Sequence, residues 1–151
     1  KFPYHADCFS PGNCVRNELY NSDGTLLGYV LYEYDSDGNR TKDEDYDSDG
    51  ILQYYTQNQY DSSEKLLREE NYDSNNSLQS YVLYEYDSNG NCTMEDVYNS
   101  GSPHQTCVYA YNENGEKVML QFYEDDKLLY YVDLNDAGEW EYHVVGDTPE
   151  E

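Results

Sequence analysis

The sequence predicts an all-β fold: an antiparallel meander of about ten or eleven strands built from β-hairpin repeats, forming a single twisted and curled sheet. Three observations carry this. The phrase YVLYEYDSDGN at 29–39 returns as YVLYEYDSNGN at 81–91. An Asp-Ser-Asp/Asn-Gly corner recurs at 35–38, 47–50 and 87–90, with looser copies at 21–24, 61–64, 73–76, 112–115 and 135–138. Tyrosines precede the corners at 20, 34, 46, 60, 72, 86, 98, 111 and 123, so the steps alternate between 14 and 12 residues until one step of 13. The unit is a long strand plus a short one, with period 26. Such a period marks a repeat architecture, in which each unit buries its face against its neighbours.

The corner chemistry explains the turns. The leading Asp accepts backbone N–H groups two residues on, the middle residues suit a type I turn, and Gly takes the left-handed conformation that closes a three-residue loop with a bulge. Between corners, Tyr, Val, Leu and Thr alternate with polar residues, as half-buried strands do. The expected strands are 14–20, 25–34, 39–46, 51–60, 65–72, 77–86, 91–98, 104–111, 116–123, 127–134 and 139–145. Residues 1–17 form an irregular N-terminal segment, 18–145 the repeat domain, and 146–151 a frayed tail or linker.

If the three-residue loops alone set the register, all the turn tyrosines share one face. That face would carry Leu26, Val30, Tyr32 and Tyr34, then Leu52, Tyr54 and Tyr60, then Leu78, Val82, Tyr84 and Tyr86. Short strands add Tyr46, Leu66, Tyr72, Met94 and Tyr98; the last ones add Leu128, Tyr130, Val132, Trp140, Tyr142 and Val144. The opposite face mixes polar short strands with apolar islands such as Leu27, Tyr29 and Leu31, which favours a sheet that coils or folds over. The 13-residue step at Asn99–Pro103 disturbs the register. A two-residue loop at Asn99-Ser100 would set Cys92 opposite Cys107 and allow a disulfide; a four-residue loop would leave them too far apart. The expectation is a Cys92–Cys107 bond. A local Cys8–Cys14 bond is expected around Phe-Ser-Pro-Gly-Asn, with two free thiols as the alternative.

At Tyr34-Asp35 and Tyr86-Asp87, with Gly three residues on, the chain resembles the tyrosine–aspartate (YD, or Rhs-type) repeats of bacterial secreted and surface proteins. The similarity covers most of residues 18–140. Family repeats run to about twenty residues and often carry Arg after the Gly; here the period is 26 and Asn39 and Asn91 hold that place. The resemblance implies a β-hairpin array.

Composition sets further limits. Thirty-two acids against eight Lys and Arg leave a formal charge of −24, and Leu, Ile, Val and Phe make up only about 17% of the chain. That profile usually means disorder. Twenty tyrosines, each able to bury a ring while keeping its hydroxyl wet, and an apolar pattern held in register argue against it. No Lys/Arg cluster suits nucleic acid, and no apolar run suits membrane insertion. Cations, basic proteins and neutral glycans fit the charge. The start at Lys1 without Met reads as a mature chain whose leader has been removed, and four cysteines fit an oxidising, extracellular or cell-surface location.

Asp35, Asp37 and Asn39 place oxygens at alternate positions, as a calcium loop does, but Arg40 and Tyr46 stand where an EF-hand needs Gly and a bidentate acid. Turn chemistry accounts for them. His5, His104 and His143 lie far apart in sequence, no nucleophile or phosphate-loop motif is present, and neither an enzyme nor a cofactor is expected. The aromatic face is either a core or an exposed platform for sugar rings; on the second reading the binding residues are Tyr54, Tyr84, Tyr130, Trp140 and Tyr142. The expected role is a structural or adhesive surface segment whose partner is a glycan or another surface protein. The alternatives are a glycan-binding module and a calcium-dependent spacer.

Overall fold

The computed structural model describes residues 14–135 and 137–145, and the backbone of 4–5. The described strands are β1 (Tyr4–His5), β2 (Arg16–Tyr20), β3 (Leu26–Tyr34), β4 (Arg40–Asp47), β5 (Leu52–Tyr60), β6 (Leu66–Asp73), β7 (Leu78–Tyr86), β8 (Cys92–Asn99), β9 (Gln105–Tyr111), β10 (Lys117–Glu124), β11 (Lys127–Leu134) and β12 (Trp140–Val144). They follow one another as an antiparallel meander in chain order. The eleven strands expected from the sequence are β2 to β12. The additional β1 lies in the segment expected to be irregular, where Tyr4 and His5 pair with Leu19 and Glu18 on the outer edge of β2. Two compact units divide the chain, 1–81 and 82–151, with the boundary inside β7.

The corners form as their residues dictate. At Asp35, Oδ1 accepts the N–H groups of Asp37 (3.0 Å) and Asn39 (2.9 Å), and Oδ2 accepts Asn39 Nδ2. Gly38 N–H returns to the Asp35 carbonyl with φ 93°. Asp87 to Asn91 repeats the arrangement. Asn112 and Asn135 do the same with an amide oxygen. Glu64 and Asn76 take the glycine's place with φ 63° each. The β10–β11 corner differs: Asp125 and Asp126 both have positive φ, a two-residue turn whose twist suits a hairpin.

A second irregularity accompanies the turns. In the first unit the register slips by one residue after four corners, opposite the turn tyrosine: Tyr20 faces Leu26, Tyr34 faces Arg40, Tyr46 faces Leu52 and Tyr60 faces Leu66. One strand has an extra residue there, a β-bulge, and a one-residue slip changes which face follows. The turn tyrosines therefore do not share a face. Tyr46 stands opposite Tyr29, and Tyr72 opposite Tyr55. Tyr34 and Tyr60 lie on the other side, because alternation along β3 and β5 separates them from Tyr29 and Tyr55. Leu26 and Leu52, expected beside Val30 and Tyr54, stand opposite Tyr20 and Tyr46 instead.

The two sets of turn tyrosines do different work. Tyr34 and Tyr60, at the ends of the long strands β3 and β5, and Tyr111, at the end of β9, donate hydroxyls to a backbone carbonyl about a hairpin earlier: Tyr34 to Cys14 (2.7 Å), Tyr60 to Arg40 (3.0 Å) and Tyr111 to Cys92 (2.8 Å). Those ending short strands stack in cross-strand pairs, Tyr29–Tyr46 at 5.0 Å and Tyr55–Tyr72 at 4.8 Å between ring centres. Each such stack adds about 0.5–1.5 kcal/mol beyond area burial.

A cation-x-Glu-x-Tyr triplet repeats with the strands. Arg16 pairs with Glu18 at 2.8 Å, Lys42 with Glu44, and Arg68 with Glu70. The Tyr20 and Tyr46 hydroxyls donate to Glu18 and Glu44. Each cation also lies over a ring on the next strand: Arg16 over Tyr29 at 3.8 Å, Lys42 over Tyr55 at 5.3 Å, Arg68 over Tyr81 at 5.1 Å. The period of 26 is thus chemical as well as geometric.

Burial is shallow. Among the described residues the buried side chains are Tyr55, 8% exposed, and Glu70. The expected aromatic core is met only there; the other rings are half-buried against same-face neighbours or exposed. No helix among the described residues is long and apolar enough to cross a membrane.

Cys92 and Cys107 are free thiols, against the expected bond. The Asn99–His104 connection is longer than the two-residue loop that the bond requires, and it sets Cys107 opposite Glu95. Cys92 is then three residues out of step, roughly 10 Å at ~3.3 Å per residue, beyond the span of a disulfide. Burial raises both thiols above the ordinary cysteine range, so they stay protonated. Cys14 is disulfide-bonded; its expected partner Cys8 lies outside the described residues.

Candidate functional site

Two places present apolar surface beside polar groups. In the first unit, a groove of about 440 Å³ opens over Gly28. Along β3 the 26-residue period aligns Gly28 with Tyr54 on β5 and Ser80 on β7, so the missing ring leaves the depression. Gly28 is required where it is: a Cβ there would meet the Tyr46 carbonyl oxygen at 2.5 Å, a backbone clash. Gly28 sits between Leu19 on β2 and Asp47 on β4. Around it stand Asn17, Leu19, Leu27, Val30, Asp45, Asp47, Gln53 and Tyr54. Leu19, Leu27 and Tyr54 are exposed, Tyr54 by 54%.

The groove's polar groups are in unlike states. Asp47 is fully engaged: Oδ1 accepts the N–H groups of Asp49 and Ile51, and Oδ2 accepts Gln53 Nε2 at 2.9 Å. Asp45, opposite Tyr54, is half-buried; burial pushes its carboxyl above the usual range, and the Tyr54 hydroxyl only partly offsets this. Next along the same face, burial also raises Asp43, and Arg40 at 3.0 Å opposes the shift. Asn17 Oδ1 is buried and has no hydrogen-bond partner.

In the second unit, rings form a ladder across three strands. Phe122 stacks on Tyr130 at 5.0 Å, and Tyr130 meets Tyr142 at 5.2 Å with a 37° tilt. Register places Tyr142 opposite Val132, Trp140 opposite Leu134 and Val144 opposite Tyr130, all on one face. Trp140 and Tyr142 are 53% and 58% exposed. Leu128 is displaced to Tyr123's side by the bulge between Phe122 and Tyr123. On the opposite face His143 stacks on Tyr131 at 4.4 Å and contacts Asp133 at 3.1 Å.

Of the five aromatics expected to bind, Tyr130, Trp140 and Tyr142 come together on the β11–β12 hairpin. Tyr54 stands by itself at the groove. Tyr84 on β7 is half-buried and engaged by neighbours. Asp35 spends both side-chain oxygens within the turn, accepting from the N–H groups of Asp37 and Asn39 and from Asn39 Nδ2, and no group of three His, Cys, Asp or Glu able to hold a metal ion occurs among the described residues. Sequence reasoning missed Asn17, Leu19, Gly28 and Asp45. The available signal was Gly28, an isolated glycine inside a strand pattern, which marks a bulge or a close backbone approach.

No family model and no curated protein matches the chain. Among solved structures, it is similar to a protein of unknown function from Bacteroides fragilis NCTC 9343, with 16% identity over 80% of this chain and 92% of that one and a TM-score of 0.32. It is also similar to TcdB2–TccC3–Cdc42, with 12% identity, 85% of this chain covered and a TM-score of 0.30. TcdB2–TccC3 without its hypervariable C-terminal region gives 12% identity over 84% of this chain and the same TM-score. This chain spans about a tenth of the TcdB2–TccC3 chains.

Proposed function

We propose that the chain is a non-enzymatic repeat segment of a secreted or cell-surface protein, akin to the YD-repeat proteins, with a structural and adhesive role. The observation that carries this reading is the β11–β12 face, where Trp140 and Tyr142 are each more than half exposed beside Val144, 68% exposed. A contiguous apolar patch of this kind marks an interaction surface, and Trp and Tyr are the residues that anchor one. The turn carboxylates, by contrast, are occupied in holding corners. The test is adhesion of beads coated with the purified chain to bacterial cells, compared with a Trp140→Ser/Tyr142→Ser variant whose circular dichroism matches the parent. Retention by the parent and its loss in the variant is expected. Equal retention by both would remove the role assigned to this face.

A second reading, glycan binding, is favoured by the ladder Phe122–Tyr130–Tyr142, whose outermost ring, Tyr142, is more than half exposed beside Trp140 on the same hairpin. Trp140 is the sole tryptophan, so its emission reports this site directly. A soluble cell-wall polysaccharide should shift that emission and compete with bead adhesion. No shift at saturating polysaccharide sinks the glycan reading while leaving the adhesive one standing.

A further inference from the structure

Four strand carboxylates of the first unit are paired with cations. Glu18, Glu44 and Glu70 each hold a cation from two residues earlier, and Asp43 holds Arg40. Asp45 has no cation among the described residues; only the Tyr54 hydroxyl approaches it. It is also the carboxylate at the rim of the groove over Gly28, together with the unpartnered Asn17 Oδ1, the exposed Leu19 and Leu27, and the exposed Tyr54 ring. On the opposite face the same chain shows what completes such a set: a Lys or Arg whose charge meets a carboxylate and whose head approaches a tyrosine ring.

We propose that this groove receives a lysine or arginine side chain of a basic partner protein, with Asp45 and Asn17 Oδ1 taking the charged head and Leu19, Leu27 and Tyr54 the stem. The assignment rests on reading the chain as an interaction module and names the chemistry of its partner. A cation is favoured over a neutral sugar by charge complementarity. A chain of formal charge −24 draws basic groups toward it, and a cation neutralises a carboxylate that a sugar would leave charged and still more deeply covered.

The test is a titration of the full, isotope-labelled chain followed by amide chemical shifts. The probes are Nα-acetyl-lysine amide and its arginine counterpart, against the norleucine amide, which keeps the stem without the charge, and methyl glucoside. Both cations should shift the amides of Gly28, Asp45 and Tyr54 saturably and weaken as salt is added. Norleucine amide, or lysine amide against Asp45→Asn, should bind about tenfold more weakly, as loss of a partly buried charge pair would give. Tyr54→Leu, which keeps Asp45, should weaken both cations less than Asp45→Asn does.

Three results would overturn the proposal: norleucine amide binding as well as lysine amide; undiminished cation binding in Asp45→Asn; or methyl glucoside moving these amides while the cations do not, which would make the groove a sugar subsite. Bead adhesion through Trp140 and Tyr142 is read separately. Its survival beside a failed titration spares the module reading, and a successful titration beside failed adhesion leaves a cation groove without that role.

Discussion

Single carboxylates in this chain are pushed in opposite directions by their surroundings, and that sets how stability should follow pH. Asp35 and Asp87 sit below the ordinary range because the side-chain amides of Asn39 and Asn91, and then the turn N–H groups, bond their charged form. Their contribution is present above the unfolded value of about 3.9 and is lost as pH falls through the depressed folded values. Asp43 and Asp45 are raised, chiefly by burial. The folded state binds their protons more readily than the unfolded one, so stability grows as pH falls through the window between those raised values and the ordinary one. The expected profile of Tm against pH rises on leaving neutrality and turns down below about pH 4. An Asp43→Asn/Asp45→Asn variant should be more stable at neutral pH and lose most of the rise. A profile that only falls from neutrality in the parent would mean the two carboxylates are solvated as in the unfolded chain.

At the scale of the corner and its bulge, much was legible and two things were not. Corner positions, strand spans and the period follow from local rules: Asp accepts its own turn's N–H groups, and Gly takes positive φ. The bulge opposite each turn tyrosine has no such residue signature, since the extra residue is Leu27, Thr41, Gln53 or Leu67 in turn. Missing it moved Tyr46 and Tyr72 to the wrong face, and a misjudged loop at Asn99–His104 misplaced Cys92 against Cys107. The shared face of Tyr130, Trp140, Tyr142 and Val144 was legible because these residues lie beyond the bulge of β11, where alternation alone decides. The same corners give a test of sign. Glu64 occupies a glycine position at φ 63°, which costs an L-residue roughly 1–2 kcal/mol, against roughly 0.5–1 kcal/mol for glycine's extra unfolded freedom. Glu64→Gly should therefore stabilise by about 0.5–1 kcal/mol in urea unfolding. Asn76→Gly should destabilise instead, although φ is the same, because Asn76 Oδ1 accepts the hydroxyl of Tyr55, the buried ring. If both substitutions move stability the same way, backbone strain alone governs these corners.

Over the whole molecule, a sheet with little fully buried side-chain volume must hold together against its own charge. The favourable side is a sum of neighbour terms: ring stacks, cations over rings, cross-strand pairs and hydrogen-bonded corners, as expected of repeat architectures. Each cation–carboxylate pair is partly solvated and contributes about 0–1 kcal/mol, which salt would erode. Opposing it are 32 acids against eight Lys and Arg. With so few bases, at most a quarter of the acids can hold a Lys or Arg one to one, and the remainder repel one another more in the folded state than in the expanded one. Raising sodium chloride from about 0.01 M to about 1 M shortens the screening length from ~30 Å to ~3 Å. That removes the long-range repulsion almost wholly and the contact pairs only in part. Tm should therefore rise with salt, and most of the gain should arrive below about 0.2 M, where the screening length falls beneath the separation of non-neighbouring acids. Potassium chloride should act alike, because the effect is one of ionic strength. A fall in Tm over the same range would mean that the Arg16–Glu18, Lys42–Glu44 and Arg68–Glu70 pairs outweigh the net charge, and that the sheet is held by its few cations more than by its rings.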